Sequence, residues 1–270
     1  MIETFNLPVS DDSFVCVTYQ KPDAPDGKAV AKTPVKPLII MMHGFPGGHK
    51  AGCGDLFGEL EYRFEGMGYP SVRFDFRGWG ESHGKPEDFT LETALEDLRV
   101  VINWAKDKAG YRSFVLLGES GGAAVAVMGY DPKLVSGLIL LWPALKLKET
   151  SFKALLTKES QNEADKADLP YVMFEGQRLG TPFLNEIYQN DLTATLEGIA
   201  VPVMVQHGTA DEEVPVEQAY FARDTLPNLT DLGIFEGGGH GLHSANMREH
   251  MYVNIRHFLG RVFKKLDPAP

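Results

Sequence analysis

Residues 114–129, FVLLGESGGAAVAVMG, break an aliphatic run with three glycines set around one serine. Glycine loses more backbone freedom on folding than any other residue, so a geometric need must hold it at these positions. If a strand ends here and a helix begins at once, Gly118-Glu119-Ser120-Gly121-Gly122 forms a sharp turn. The Ser120 hydroxyl would then stand clear of the sheet, beside the positive end of the following helix. Taken alone, the pentapeptide also fits a tight packing turn. Its flanks, an apolar strand before and a small-residue helix after, favour an exposed nucleophile.

A serine hydroxyl is a weak nucleophile at neutral pH and needs a base. His240, in EGGGHG after the last apolar run, is the expected base, and His243 is its nearby competitor. The imidazole in turn needs a carboxylate to set its tautomer and stabilise its charged form. Asp211, in VPVMVQHGTADEEVP, is the expected partner; its competing role is a cap on a helix starting near Val216. Glu212 and Glu213 are expected to be solvated charges. An oxyanion needs donors, and the loop in IIMMHGFPGGHK can supply one. Pro46 has no N–H, so the amide of Phe45 is the expected donor, paired with that of Gly121. His43 is expected to buttress this loop.

These residues require a scaffold that brings distant loops together. SFVCVTYQK is a strand by its β-branched and aromatic content. The short apolar runs KPLIIMMHG, PSVRFDFRG, SFVLLGES, VSGLILLWP, VPVMVQHG and DLGIFEGGGH suit strands buried on both faces. Between them, apolar residues recur at helical spacing after Thr90 (Leu91, Leu95, Leu98, Ile102, Ala105) and again from Met251 to Leu266. Asn246 and Glu249 have the spacing of a capping box for the second of these helices. Strands alternating with helices predict an α/β fold with a doubly wound, mostly parallel sheet. Residues 143–200 break the alternation with a polar, partly helical stretch lacking a strong strand signal. The expected organisation is a core of residues 1–142 and 201–270 with a small, mostly helical inserted cap over 143–200.

Composition sets the outer limits. The chain has 270 residues, 43% of them hydrophobic, enough for one large core. A net charge of −11 argues against nucleic acid, which rewards clustered Lys and Arg. Two cysteines, Cys16 and Cys53, imply free thiols and a reducing compartment. The N-terminus shows no basic start and no apolar stretch of a leader, and no run reaches the length of a membrane span. A cytoplasmic protein with no membrane partner is expected. No metal cluster and no phosphate-cradling loop is evident, so no cofactor is expected; monomer and homodimer both stay open.

With Ser120, Asp211 and His240 in that chain order, the sequence resembles the α/β-hydrolase fold family. The resemblance covers nearly the whole chain, and FDFRGWGES matches an Asp-x-Arg-Gly-x-Gly-x-Ser loop common in that family. By position, Asp75, Arg77 and Ser82 are expected to be structural. Members similar to haloalkane dehalogenases and epoxide hydrolases use a carboxylate at this elbow, and dienelactone hydrolases usually a cysteine; this sequence has Ser120, so those branches are disfavoured. Within the family, HGFPGG and a compact cap look most like carboxylesterases of the cinnamoyl or feruloyl type. Monoacylglycerol lipases and S33-type aminopeptidases are near neighbours. A small-molecule ester substrate, short-chain or aryl, is the expectation. An aminopeptidase or amidase, or a non-catalytic ligand-binding member, are the alternatives. Tyr171, Phe174, Phe183 and Tyr188 either line the substrate pocket or pack the cap onto the core. Acidic residues Glu163, Asp165, Glu175 and Glu186 either bind a substrate amine or form a solvated face.

Overall fold

The computed structural model describes residues 1–21, 36–156 and 170–263. Eight strands form one sheet: β1 (Ile2–Ser10), β2 (Ser13–Gln20), β3 (Leu38–Met42), β4 (Ser71–Phe74), β5 (Phe114–Glu119), β6 (Val135–Leu141), β9 (Val203–Gly208) and β10 (Leu229–Phe235). Their order is β1-β2-β4-β3-β5-β6-β9-β10. The β1–β2 and β2–β4 pairs are antiparallel, and every other pair is parallel.

Each central strand alternates its side chains between two buried faces, which is why these segments read as continuous apolar runs. Ile40 and Met42 of β3 and Leu116 of β5 face helices α2 (Leu91–Asp107) and α3 (Gly121–Met128). Ile39, Met41, Val115 and Leu117 face α1 (Leu56–Gly66) and, through Met251, Ile255, Phe258 and Leu259, the long C-terminal helix Ala245–Val262. Helix α2 starts where its sequence indicates. Thr90 Oγ1 accepts the Thr93 amide at 3.0 Å, and Thr93 Oγ1 accepts the Thr90 amide at 2.9 Å. The C-terminal helix differs from expectation. It begins at Ala245, one residue before Asn246, with Ser244 at its N-cap and no side-chain cap. Glu249 is engaged elsewhere, in an ion pair with Arg63 at 2.6 Å.

The segment between β6 and β9 holds an antiparallel hairpin, β7 (Tyr171–Phe174) and β8 (Gln177–Gly180), where no strand signal is evident in the sequence. Its turn, Glu175-Gly176, has both residues at positive φ (49° and 78°), the conformation of a tight two-residue hairpin. Helices α4 (Thr181–Gln189) and α5 (Thr193–Glu197) follow, then α6 (Glu217–Thr225) after β9 and α7 (Ala245–Val262) after β10. Phe152, Leu179, Phe183 and Ile187 of the inserted segment belong to the same apolar cluster as the sheet. The Phe183 ring lies 5.6 Å from Phe45 and 5.4 Å from Phe89.

Asp75, Arg77 and Ser82 brace the loop after β4, as their positions indicate. Asp75 accepts the amides of Lys50 and Glu81. Ser82 Oγ accepts the Cys16 amide at 2.7 Å and donates to the Asp75 carbonyl. Arg77 is pinned by the fully buried Asp97, whose oxygens accept its Nε at 2.5 Å and its amide at 2.8 Å. Burial pushes the Asp97 carboxyl up to about 6 despite that guanidinium. Asp97→Ala leaves Arg77 half-buried with only Glu96 as ion partner, and is expected to cost about 3–5 kcal/mol of unfolding free energy. A urea midpoint equal to wild type would refute that cost.

Candidate active site

The six parallel strands send their following loops to the carboxyl edge of the sheet, and the candidate residues lie on those after β3, β5, β9 and β10. Ser120 leaves β5 at φ 52°, ψ −124°, and α3 begins at the next residue. Two glycines make so abrupt a turn possible. A Cβ on Gly118 would lie 2.4 Å from the Gly122 carbonyl oxygen, and one on Gly122 would lie 2.3 Å from that of Met42. Strand and helix therefore pass at a separation that no side chain fits.

Asp211 and His240 come from the loops after β9 and β10, which are knitted together. Ala210 N donates to the Gly238 carbonyl at 2.8 Å, and Thr209 N to that of Phe235 at 2.9 Å. His240 Nδ1–H donates to Asp211 Oδ2 at 2.8 Å. The other carboxylate oxygen accepts the amides of Glu213 at 3.0 Å and Val214 at 2.8 Å. Burial alone would raise the Asp211 carboxyl, but the donors His207 and His240 outweigh it and hold the group far below the usual carboxylate range. Asp211 is thus an ionised acceptor, and no side-chain cap is present on α6. Burial likewise opposes charge on His240, yet Asp211, Glu213 and Glu119 together raise its pKa above the ordinary histidine value.

Ser120, His240, Phe45 and Gly121 line one pocket of about 310 Å³. His240 Nε2, the atom left free by Asp211, lies 3.7 Å from Glu213 Oε2. In this resting arrangement it makes no hydrogen bond to Ser120; such contacts commonly tighten only when substrate is bound. The Phe45 ring covers Gly121 so closely that a Cβ there would meet it at 2.6 Å. On the other side of the same loop a Cβ on Gly44 would lie 3.0 Å from Ser120 Cβ, so the Phe45 loop runs directly against the elbow. His43 supports the Phe45 loop from below: Nδ1–H donates to the Gly44 carbonyl at 2.6 Å, and Nε2 accepts the Phe76 amide at 3.1 Å. Burial pushes its pKa down to about 4, so it is neutral.

Tyr171, Phe174, Phe183 and Tyr188 do not line this pocket. Phe183 is fully packed among Phe45, Phe89 and Phe152, and Phe174 packs on Phe152 at 5.3 Å. Tyr171 lies beneath the Arg178 guanidinium, and Tyr188 is exposed. Of the four, Phe183 holds the inserted segment to the core through Phe45 and Phe89. Thr150, Ser151 and Phe152 take the place expected for them at the pocket wall. Of the acidic residues, Glu175 lines the pocket, whereas Glu186 accepts the amides of Leu91 at 2.6 Å and Glu92 at 3.3 Å and so caps α2. Glu163 and Asp165 lie outside the described residues. Glu213, expected to be merely solvated, keeps 57% of its side chain exposed but faces the imidazole.

Three contributors to the site carry little signal in the sequence. His207 is completely buried behind Asp211, donating Nε2–H to the Val214 carbonyl at 2.8 Å with Asp211 Oδ2 at 3.4 Å. Glu119 turns down into the protein beneath Ser120, and Arg248 reaches the loop after His240 from α7. His243 is not on Asp211; its Nε2 lies 3.7 Å from Cys53 Sγ. That thiol lines the pocket, but burial and the neighbouring Glu119 push its pKa up to about 11, which leaves it protonated and unreactive. Away from the site, Cys16, Asp75 and Glu81 form one cluster of possible metal ligands among the described residues. The Lys50 ammonium already stands within it, 3.4 Å from Cys16 Sγ and 3.2 Å from Asp75 Oδ2.

Comparison with known proteins bears on the fold and the family. The family described as serine aminopeptidase, S33, matches residues 33–176, more than half of the chain, and the prolyl oligopeptidase family matches residues 147–266. An AB hydrolase superfamily protein of Bacillus subtilis is 26% identical over 241 residues, 75% of this chain and 84% of that protein. The lysophosphatidylserine lipase of Danio rerio is 27% identical over 195 residues, 67% of this chain. That match spans only 45% of the lipase, so the chain corresponds to under half of that relative. Among solved structures, ferulic-acid-bound Est1E of Butyrivibrio proteoclasticus superposes with a TM-score of 0.79 at 20% identity, covering 96% of this chain and 99% of that one. Among the described residues, no helix is long and apolar enough to cross a membrane. Sheet order, elbow and family match converge: the chain belongs to the α/β-hydrolase superfamily and, within it, to the serine aminopeptidase S33 family.

Proposed function

We propose that this protein hydrolyses carboxylic esters of small alcohols or aryl acids through an acyl-enzyme on Ser120. The observation that carries the proposal is the 2.8 Å contact between His240 Nδ1 and the ionised Asp211. It leaves Nε2 unprotonated and directed into the pocket that Ser120 shares. Nε2 takes the Ser120 proton as Oγ attacks the carbonyl carbon. The amides of Phe45 and Gly121 hold the oxyanion, each contributing about 3 kcal/mol of transition-state stabilisation. The imidazolium then protonates the departing alkoxide, and water, deprotonated by the same nitrogen, releases the acid and regenerates Ser120.

Pocket size and charge narrow the substrate. At about 310 Å³, walled by Phe45 and Phe152, it suits a short acyl or aryl group better than a long chain. Among the described residues, Glu175 and Glu213 lie at its wall and no Lys or Arg does. An anionic head group like that named for the Danio rerio lipase is therefore disfavoured here. The same acids support a second reading, in which the substrate is an aminoacyl amide or ester whose ammonium pairs with them.

Hydrolysis of p-nitrophenyl esters from acetyl to dodecanoyl, methyl ferulate and alanyl p-nitroanilide separates the two. The expected result is turnover of the acetyl ester and of methyl ferulate, falling steeply with acyl length. Cleavage of the anilide with no ester turnover would replace the first reading by the second. Glu213→Gln is expected to move the acid limb of kcat/KM to lower pH, because it removes one of the charges that favour the imidazolium. An unchanged limb would show that the exposed carboxylate is screened by solvent.

A further inference from the structure

Glu119 is a carboxylate only 3% exposed, placed directly before the nucleophile, and the mechanism above leaves it without a task. It binds no cation directly. Oε1 accepts the amide of Cys53 at 3.0 Å and faces that of Gly44 at 3.5 Å, while Oε2 faces the Cys53 amide at 3.2 Å. Gly44 immediately precedes the Phe45 amide assigned to the oxyanion. The carbonyl of Cys53 accepts Arg248 Nη2 at 2.8 Å. Arg248, itself 8% exposed, extends Nε to the carbonyls of Gly241 at 2.9 Å and Leu242 at 3.2 Å, directly after His240.

One residue, through the N–H and the C=O of Cys53, therefore joins the buried carboxyl under the elbow to the buried guanidinium under the His240 loop. A neutral glutamine could meet the same amides with a far smaller desolvation cost. Retention of a charge at such a site points to a use for the charge. Burial pushes the Glu119 carboxyl up, and the amides of Cys53 and Gly44, with His240 and Arg248 beyond them, oppose that rise by favouring the ionised form; each hydrogen bond to its two oxygens comes from a backbone N–H.

We propose that Glu119 and Arg248 are a pair of positioning residues, bridged by the backbone of Cys53, that hold the oxyanion loop, the nucleophile elbow and the His240 loop in register. The inference rests on the serine-hydrolase reading above. The pair also sets the field at the base. His240 faces Asp211 and Glu213 from the loop after β9, Glu119 from the end of β5, and the uncharged Trp142 ring from the end of β6. Glu119 in turn faces His240, Arg248 and the protonated Cys53. Removing its charge takes away one of the three anions that stabilise the imidazolium.

The test measures kcat, KM and the pH profile with p-nitrophenyl acetate for wild type, Glu119→Gln, Arg248→Lys, the double variant and Ser120→Ala. In Glu119→Gln the acid limb of kcat/KM is expected at lower pH. Plateau kcat should fall about tenfold, less than for outright loss of an oxyanion donor, with KM within about twofold. Arg248→Lys keeps the charge but not the fork that holds separate carbonyls, and is expected to lower kcat with KM likewise unmoved. The double variant should be little worse than the poorer single one, because both break one connection. Coincident acid limbs in wild type and Glu119→Gln, or losses that multiply in the double variant, would overturn the pair while Ser120→Ala stays inactive. If Glu119→Gln does not fold, Arg248→Lys decides: a kcat equal to wild type overturns the proposal. Activity retained in Ser120→Ala would overturn the serine-hydrolase reading and the pair with it.

Discussion

Ser120→Ala is expected to lower kcat for p-nitrophenyl acetate by about 10⁴-fold or more, with the circular dichroism spectrum and melting temperature of wild type. The fold tolerates the change because alanine keeps the same Cβ at φ 52°, and the serine side chain does not cap α3. What disappears is the oxygen that forms the acyl-enzyme in the proposed mechanism. The Phe45 and Gly121 amides and the pocket walls remain, so a residual rate above that of water is expected, without the burst of p-nitrophenol that marks acylation. Fluorophosphonate labelling provides a second readout: wild type gains one adduct at Ser120 and the variant none. Turnover within tenfold of wild type would mean that another nucleophile acts, and neither free thiol is suited. Cys16 is buried with its pKa raised, chiefly by burial, and Cys53 is held protonated near 11.

Asp211→Asn is the second large effect, about 10⁴-fold in kcat, and its cause is the position of one proton. Asp211 accepts on both oxygens: Oδ1 from the amides of Glu213 and Val214, Oδ2 from His240. Asparagine keeps its carbonyl oxygen on the two amides and so turns its NH₂ toward His240. Nδ1 must then accept, the proton moves to Nε2, and the base can no longer take the serine proton. The pH dependence follows with a definite sign. Asp211 raises the His240 pKa above its ordinary value, so the wild-type acid limb lies higher than for a free imidazole, and the variant's remnant activity titrates at lower pH.

Stability responds from both partners of this contact. The raised pKa of His240 gives stabilisation that is complete below the unfolded value of about 6.5 and is lost as pH rises through the folded value. The depressed pKa of Asp211 gives stabilisation that is complete above about 3.9 and is lost only as pH falls toward the folded value. Wild type should therefore exceed Asp211→Asn in urea midpoint most clearly between these limits. A difference that is flat from pH 3 to pH 9 would contradict the assignment of charge.

Sheet, elbow and the Ser120–Asp211–His240 constellation are legible in the chain because each leaves a local mark. Strands buried on both faces must be short apolar runs. A turn in which Gly118 and Gly122 pass backbone at contact distance admits no other residue. Pro46 has no amide to offer, which leaves Phe45 as the proposed oxyanion donor. The hairpin at residues 171–180 leaves a weaker mark. Its strands have four residues each, and its turn uses Glu175 at positive φ, a position where asparagine or glycine would have announced it.

Whether an aromatic ring of the inserted segment meets substrate or core is a different kind of question. Periodicity shows that Phe183 is buried but not against what, and only packing places it on Phe45 and Phe89 instead of in the pocket. The same holds for charge. Glu119, Glu213 and Arg248 look alike in sequence as ionisable residues near motifs. Their roles follow from distances to residues that are as many as 195 positions away along the chain. Local sequence decides backbone form and polarity because those depend on neighbours within a few residues. Long-range contact decides which buried charge faces which loop, because it exists only once the strands have been ordered side by side.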